Sequence, residues 1–121
     1  MLIASSAQAQ NLFVSYQIGI INEYTPDGVQ SSFASGLSEP LGLTFDSAGN
    51  LYEADLGSGN IYKFTPQGVR STFASGFPYP VALAFDSAGN LFVSDDTKLN
   101  YQGNIYKVSC RVVFKAGIFC S

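Results

Sequence analysis

The chain contains no histidine and no tryptophan, and only 12% of its residues carry charge. Without histidine there is no Ser-His-Asp set and no Cys/His zinc pattern. No run of lysine and arginine is present and the net charge is −3, which argues against nucleic acid and against an anionic membrane surface as partner. No apolar run approaches the roughly 18–20 residues that a membrane-spanning helix needs. P-loop, dinucleotide-binding glycine and EF-hand spacings are missing too. Only two cysteines occur, Cys110 and Cys120, both close to the C-terminus. They read either as incidental thiols or as a disulfide closing a C-terminal hairpin, a bond that an oxidising compartment permits.

What is present is apolar and regular. Hydrophobic residues make up 46% of 121 residues, enough for one domain with a modest core. With so few charges, solubility falls to Ser, Thr, Asn, Gln and Gly, a surface common in exported proteins. Residues 1–10, MLIASSAQAQ, have two readings. Ala7-Gln8-Ala9 fits the small-x-small pattern of a signal-peptide cleavage site, which predicts a secreted or periplasmic protein. The other reading is a flexible N-terminus.

The stretch Phe45 to Asp55, FDSAGNLYEAD, returns as Phe85 to Asp95, FDSAGNLFVSD. Asn11, Asn50 and Asn90 open equivalent strands, giving a period of about 40 residues. Thr25-Pro26-Asp27-Gly28-Val29 returns as Thr65-Pro66-Gln67-Gly68-Val69, and Ser31 to Gly36 as Ser71 to Gly76. Each period alternates apolar residues at period two, and Gly or Pro interrupts every ten residues or so, which predicts strands and no helix. Leu41–Phe45, Leu51–Ala54, Ile61–Phe64 and Val69–Ala74 are the four strands of one period. Asp46 and Asp86 suit the first position of a tight turn, and Gly49 and Gly89 a position of positive φ.

Four antiparallel strands per period of about 40 predict an all-β fold, an open arc of about three four-stranded β-propeller blades. A partial blade covers 11–36, a full blade 40–76, and a blade with an irregular last strand 80–118. A β-sandwich and a three-fold barrel also tolerate many short strands, but neither explains a four-strand unit returning nearly verbatim. Closed propellers typically have about four to eight blades, so an arc of three leaves apolar faces open to self-association. The alternatives are a ring completed by several chains and a fragment of a longer protein, the reading favoured here.

The pattern Pro40-Leu41-Gly42-Leu43-Thr44-Phe45-Asp46-Ser47-Ala48-Gly49-Asn50-Leu51-Tyr52, followed by Gly59-Asn60-Ile61-Tyr62-Lys63-Phe64-Thr65-Pro66, resembles NHL repeats. These group with gluconolactonase-like (SMP-30-like) and virginiamycin B lyase-like propellers. The resemblance covers most of the chain and is specific for the repeat, not for an activity. It implies that a C-terminal segment supplies the missing first strand of the first blade. Gluconolactonase-like members hold a divalent cation such as calcium through acidic residues of several blades. The candidates here are Glu53, Asp55 and Asp95, of which Asp55 and Asp95 match the repeat and equally suit loop capping. The lyase-like members need a histidine base, which this chain lacks.

Glu53 stands where Val14 and Val93 stand in the other periods. A buried carboxyl needs a partner or a proton, and the expectation is a cross-strand pair with Lys63 or Lys107. The stretch after Asp95 is longer than its counterpart after Asp55. Asp95, Asp96, Asn100, Tyr101 and Gln102 are therefore candidates for a binding loop. The function expected is an exported, non-catalytic scaffold for a protein or carbohydrate ligand. The alternative is part of a metal-dependent gluconolactonase-like hydrolase.

Overall fold

The computed structural model describes residues 1–5, 11–96, 103–108 and 119–120. Its strands are β1 Leu2–Ser5, β2 Leu12–Tyr16, β3 Ile20–Tyr24, β4 Gln30–Ala34, β5 Pro40–Phe45, β6 Leu51–Asp55, β7 Asn60–Phe64, β8 Arg70–Ser75, β9 Pro80–Phe85, β10 Leu91–Asp95, β11 Asn104–Val108 and β12 Phe119–Cys120. They form three antiparallel sheets in the orders β1-β2-β3-β4, β12-β8-β7-β6-β5 and β11-β10-β9. Among the described residues there is no helix.

Turn chemistry sets the sheets. In both Asp-Ser-Ala-Gly turns the aspartate folds back onto its own backbone. Asp46 Oδ1 accepts Ala48 N–H at 3.0 Å and Asn50 N–H at 2.8 Å, and Asp86 does the same at the same distances. At the other hairpins the Thr25 and Thr65 hydroxyls accept Val29 and Val69 N–H at 3.0 and 3.1 Å. These local bonds hold the two-residue period in register, and the register decides which side chains face which neighbour.

The sheets pack face to face, first on second and second on third. Between the first two lies a cluster of Phe13, Ile21, Leu37, Leu51 and Phe64. Between the last two lie Tyr52, Ala54, Ile61, Phe77, Leu91 and Val93. Edge-to-face pairs finish both layers, Phe13 on Phe33 at 5.0 Å and Tyr52 on Phe85 at 4.9 Å. Burying one such aromatic side chain stabilises the fold by about 2–3 kcal/mol. The innermost strands touch in sequence, β1 beside β5 and β5 beside β9. There Gly42 lets two backbones meet, since a Cβ on it would sit 2.6 Å from Val81 O.

Two points differ from expectation. The first strand of the first sheet comes from Leu2–Ser5, paired with β2 through Ile3↔Val14 and Ser5↔Leu12. It does not come from a C-terminal segment, and residues 2–5 are sheet and not a loose terminus. Ile3 thereby takes the register position of Leu43 opposite Glu53, so the short apolar run completes the repeat. Residues 111–118, aligned with a fourth strand of the third blade, lie outside the described residues. Phe119–Cys120 instead extends the second sheet at β8, through Phe119↔Ser75. Cys110, one half of the possible Cys110–Cys120 disulfide, lies outside the described residues.

Gly59 offers a direct test of the repeat geometry. Its φ is +75°, its carbonyl accepts Phe77 N–H at 3.1 Å, and a Cβ on it would lie 2.4 Å from Phe77 O. Gly28 has φ +86° with open space around it. Gly28→Ala should cost only the left-handed backbone term, about 1–2 kcal/mol. Gly59→Ala should cost clearly more, because rigid backbone blocks the new methyl. Urea midpoints of the two variants at unchanged m-value check the difference.

Candidate functional site

Asp55 and Asp95 are the last residues of β6 and β10, at the end of each sheet where one sheet hands over to the next. Both are buried. Asp55 Oδ2 accepts Ser38 N–H at 3.0 Å and Oδ1 accepts Glu39 N–H at 2.8 Å. Leu56 N–H returns to Glu39 O at 2.9 Å, so the crossing into β5 is clamped from both directions. Asp95 repeats the device one sheet later, with Oδ2 on Tyr79 N–H at 3.0 Å and Asp96 N–H on Tyr79 O at 2.9 Å. Its Oδ1 is buried with no hydrogen-bond partner among the described residues. The first sheet has Tyr16 at this position. Its hydroxyl meets that of Tyr24 at 2.8 Å, a contact that raises the Tyr16 pKa above the usual phenol range.

Glu53 shares a sheet face with Leu51 and Asp55 and points into the layer between the first and second sheets. It is 0% exposed, and neither carboxyl oxygen has a hydrogen-bond partner. Burial, with the Asp55 carboxylate close by, pushes its pKa up to about 9, and Arg70 pulls it back only in part. Glu53 is therefore a neutral carboxyl at pH 7. The expected lysine pair is not formed. Cross-strand register sets Glu53 opposite Leu43 and Tyr62, while Lys63 stands opposite Tyr52 and lies on the other face, its Nζ 5.8 Å from the Tyr52 ring centre. Lys107, in the third sheet, acts on Asp86 and holds it down, after the larger effect of hydrogen bonds from Asn90.

The three proposed metal ligands do not come together as one site. Asp95 belongs to a different sheet from Glu53 and Asp55, and both Asp55 oxygens are engaged by backbone N–H groups. Among the described residues no group of three or more His, Cys, Asp or Glu could hold a metal ion. These residues on their own do not fit a divalent cation. Of the binding-loop candidates, Asp95 and Asp96 are held by Tyr79 as above, and Asn100, Tyr101 and Gln102 lie outside the described residues.

A feature absent from the sequence reading is a cavity of 350 Å³ between the second and third sheets, at the end carrying the Asp-Ser-Ala-Gly turns. Asp46, Ser47, Tyr52, Phe73, Phe85 and Asp86 line it. Burial opposes ionisation of Asp46, but bonds from Asn50, Tyr52 and Ala48 outweigh it and keep the carboxyl below the usual range. The Tyr52 hydroxyl donates to Asp46 Oδ2 at 3.2 Å, and burial followed by that carboxylate raises its pKa. No motif along the chain signals it, because its lining comes from two different sheets.

Wedge-packed antiparallel sheets, with first strands abutting inside and crossing loops clamped at one end, define a partial β-propeller. Solved propellers superpose on the chain. Virginiamycin B lyase from Staphylococcus aureus matches with TM-score 0.70 and 14% identity over 88% of this chain and 40% of that one. A streptogramin B lyase matches with TM-score 0.72 and 16% identity over 92% and 41%. A provisionally assigned gluconolactonase matches with TM-score 0.67 and 15% identity over 88% and 43%. At these identities the likeness is one of fold, and the chain spans about two fifths of each of these structures. No family profile and no curated protein matches the sequence.

Proposed function

We propose that the chain is a non-catalytic module of an exported, NHL-type β-propeller that presents a protein or carbohydrate ligand with its cavity and with the loop after Asp95. The observation that carries this reading is the use made of the carboxylates. Asp46 and Asp86 accept N–H groups of their own turns, Asp55 and Asp95 accept N–H groups of the crossing loops, and Glu53 is sealed between sheets. Carboxylates committed in this way support a scaffold role. The cavity combines an aromatic floor of Phe73 and Phe85 with hydroxyl and carboxylate rims, a pairing suited to a sugar ring.

The rival reading is a metal-dependent gluconolactonase-like hydrolase whose remaining ligands lie beyond this chain. Assay of glucono-δ-lactone hydrolysis with and without calcium, alongside binding to a panel of immobilised glycans, separates the two. The expected result is no calcium-dependent turnover, and glycan binding that weakens at least tenfold in Phe85→Ala or Tyr101→Ala. Calcium-dependent hydrolysis that disappears in Asp55→Asn overturns the proposal. Export is part of the same proposal. An N-terminus at Gln10 in protein recovered from the periplasm or medium supports it, and cleavage there would also remove β1.

A further inference from the structure

The cavity between the second and third sheets joins aromatic walls to carboxylate charge. Its 350 Å³ lies at the small end of the range for ligand sites, about 300–1,000 Å³, so it suits one compact group. Three of its lining rings cross at steep angles. Tyr52 meets Phe73 at 5.0 Å and 90°, and Phe85 at 4.9 Å and 77°. Phe73 and Phe85 are half-buried. Rings so placed wall a space on more than one side, and the face of an aromatic ring attracts a cation. Tyr52 already attracts one: Lys63 Nζ stands 5.8 Å from its ring centre, within the ~6 Å reach of that attraction.

The Asp-Ser-Ala-Gly turns supply the charge. Hydrogen bonds keep the Asp46 and Asp86 carboxyls below the usual range, so both are ionised at neutral pH. The chain's own cations compensate them poorly. Lys107 is the weakest influence on Asp86, and no lysine or arginine figures among those on Asp46. Yet neither carboxylate seeks a donor. Asp46 Oδ1 accepts Ala48 and Asn50 N–H, while Oδ2 accepts Asn50 Nδ2–H at 2.9 Å and the Tyr52 hydroxyl. That fills the four acceptor positions of a carboxylate. Asp86 accepts three such bonds, from Ala88 N–H, Asn90 N–H and Asn90 Nδ2–H. A primary ammonium would have to displace these donors to gain a hydrogen bond. A quaternary ammonium has no N–H to satisfy and takes the charge and the rings together.

We propose that the cavity takes a trimethylammonium group, of the kind choline carries, walled by Tyr52, Phe73 and Phe85 and balanced by Asp46 and Asp86. This rests on the cavity being the ligand site and specifies the group that enters it.

Titration followed by NMR tests this with three probes: choline, its neutral carbon analogue 3,3-dimethylbutan-1-ol, and ethanolamine. Choline is expected to bind about tenfold more tightly than either of the others, because one lacks the charge and the other the methyl groups. Phe85→Leu keeps an apolar side chain without a ring, and should weaken choline severalfold while leaving dimethylbutanol unchanged. Asp86→Asn should do the same, and asparagine suits that exposed turn position, so this variant carries the test should Phe85→Leu fail to fold. Choline bound no more tightly than dimethylbutanol, ethanolamine bound as tightly as choline, or choline affinity unmoved in Asp86→Asn overturns the proposal. Glycan binding that depends on Phe85, with no choline binding, sinks this inference and leaves the ligand reading above intact. Choline binding with no glycan bound does the reverse.

Discussion

Glu53→Val is expected to raise the melting temperature by about 10 °C at pH 7. Glu53 is fully buried between two sheets with both oxygens unpartnered, and its folded pKa is about 9 against 4.5 in the free chain. Holding that proton at pH 7 costs the folded state about 3 kcal/mol relative to the unfolded chain, which gives its proton up. The sign follows directly. The folded form binds the proton more tightly, so the favourable contribution is complete below pH 4.5 and drains away as pH rises toward 9. Above that, both states are ionised and the slope ends. Valine already fills the equivalent places in the first and third sheets, as Val14 and Val93, both buried, so the replacement introduces no foreign shape.

Denaturant unfolding from pH 5 to 9 checks this. Wild type should lose stability across the window, at up to about 1.4 kcal/mol per pH unit. Glu53→Val should be nearly flat, and Glu53→Gln flat but less stable than the valine form. The sequence has no histidine to titrate in the same range, and the comparison with Glu53→Val subtracts the thiols and the α-amino group, which both forms share. A less stable valine variant would mean that the carboxyl has a favourable partner.

Removing the Asp55 carboxylate should have the opposite and comparably large effect. Asp55→Ala leaves Ser38 N–H and Glu39 N–H without acceptors at a buried crossing. Hydrogen bonds to a carboxylate are worth about 1.5–3 kcal/mol each, so a loss of about 3–5 kcal/mol is expected. Asp95→Ala removes a single acceptor contact, to Tyr79 N–H, and also removes an oxygen that has no partner among the described residues, so its cost should be about half. Amide exchange at Ser38 and Glu39 should quicken in Asp55→Ala well before global unfolding. Equal costs for the two variants would show that Asp55 owes its importance to something other than the two N–H groups.

How much of this was readable in advance depended on the repeat. The sheets, the Asp46 and Asp86 turns and the capping role of Asp55 were legible, because near-identical periods show the same residue solving the same local problem. β1 was not, since Met1 to Gln10 lacks the Asp-Ser-Ala-Gly turn that announces the equivalent strand elsewhere. A four-residue apolar run without that turn looks the same as part of a leader. The partner of Glu53 was misjudged for a different reason. A buried carboxyl's need for a partner suggested a cross-strand lysine, but hairpin register places Tyr62 opposite Glu53 and turns Lys63 to the other face. The cavity went unread because its lining comes from two different sheets and forms no motif along the chain.

Gly42 has a consequence for symmetry. Where it lets β5 and β9 meet, the second and third sheets draw together near the axis, main chain against main chain. Ala82 holds the same station on β9 and carries a methyl group there, exposed in this chain. The close approach at Gly42 therefore belongs to the step from the second sheet to the third and is not a property of the repeat.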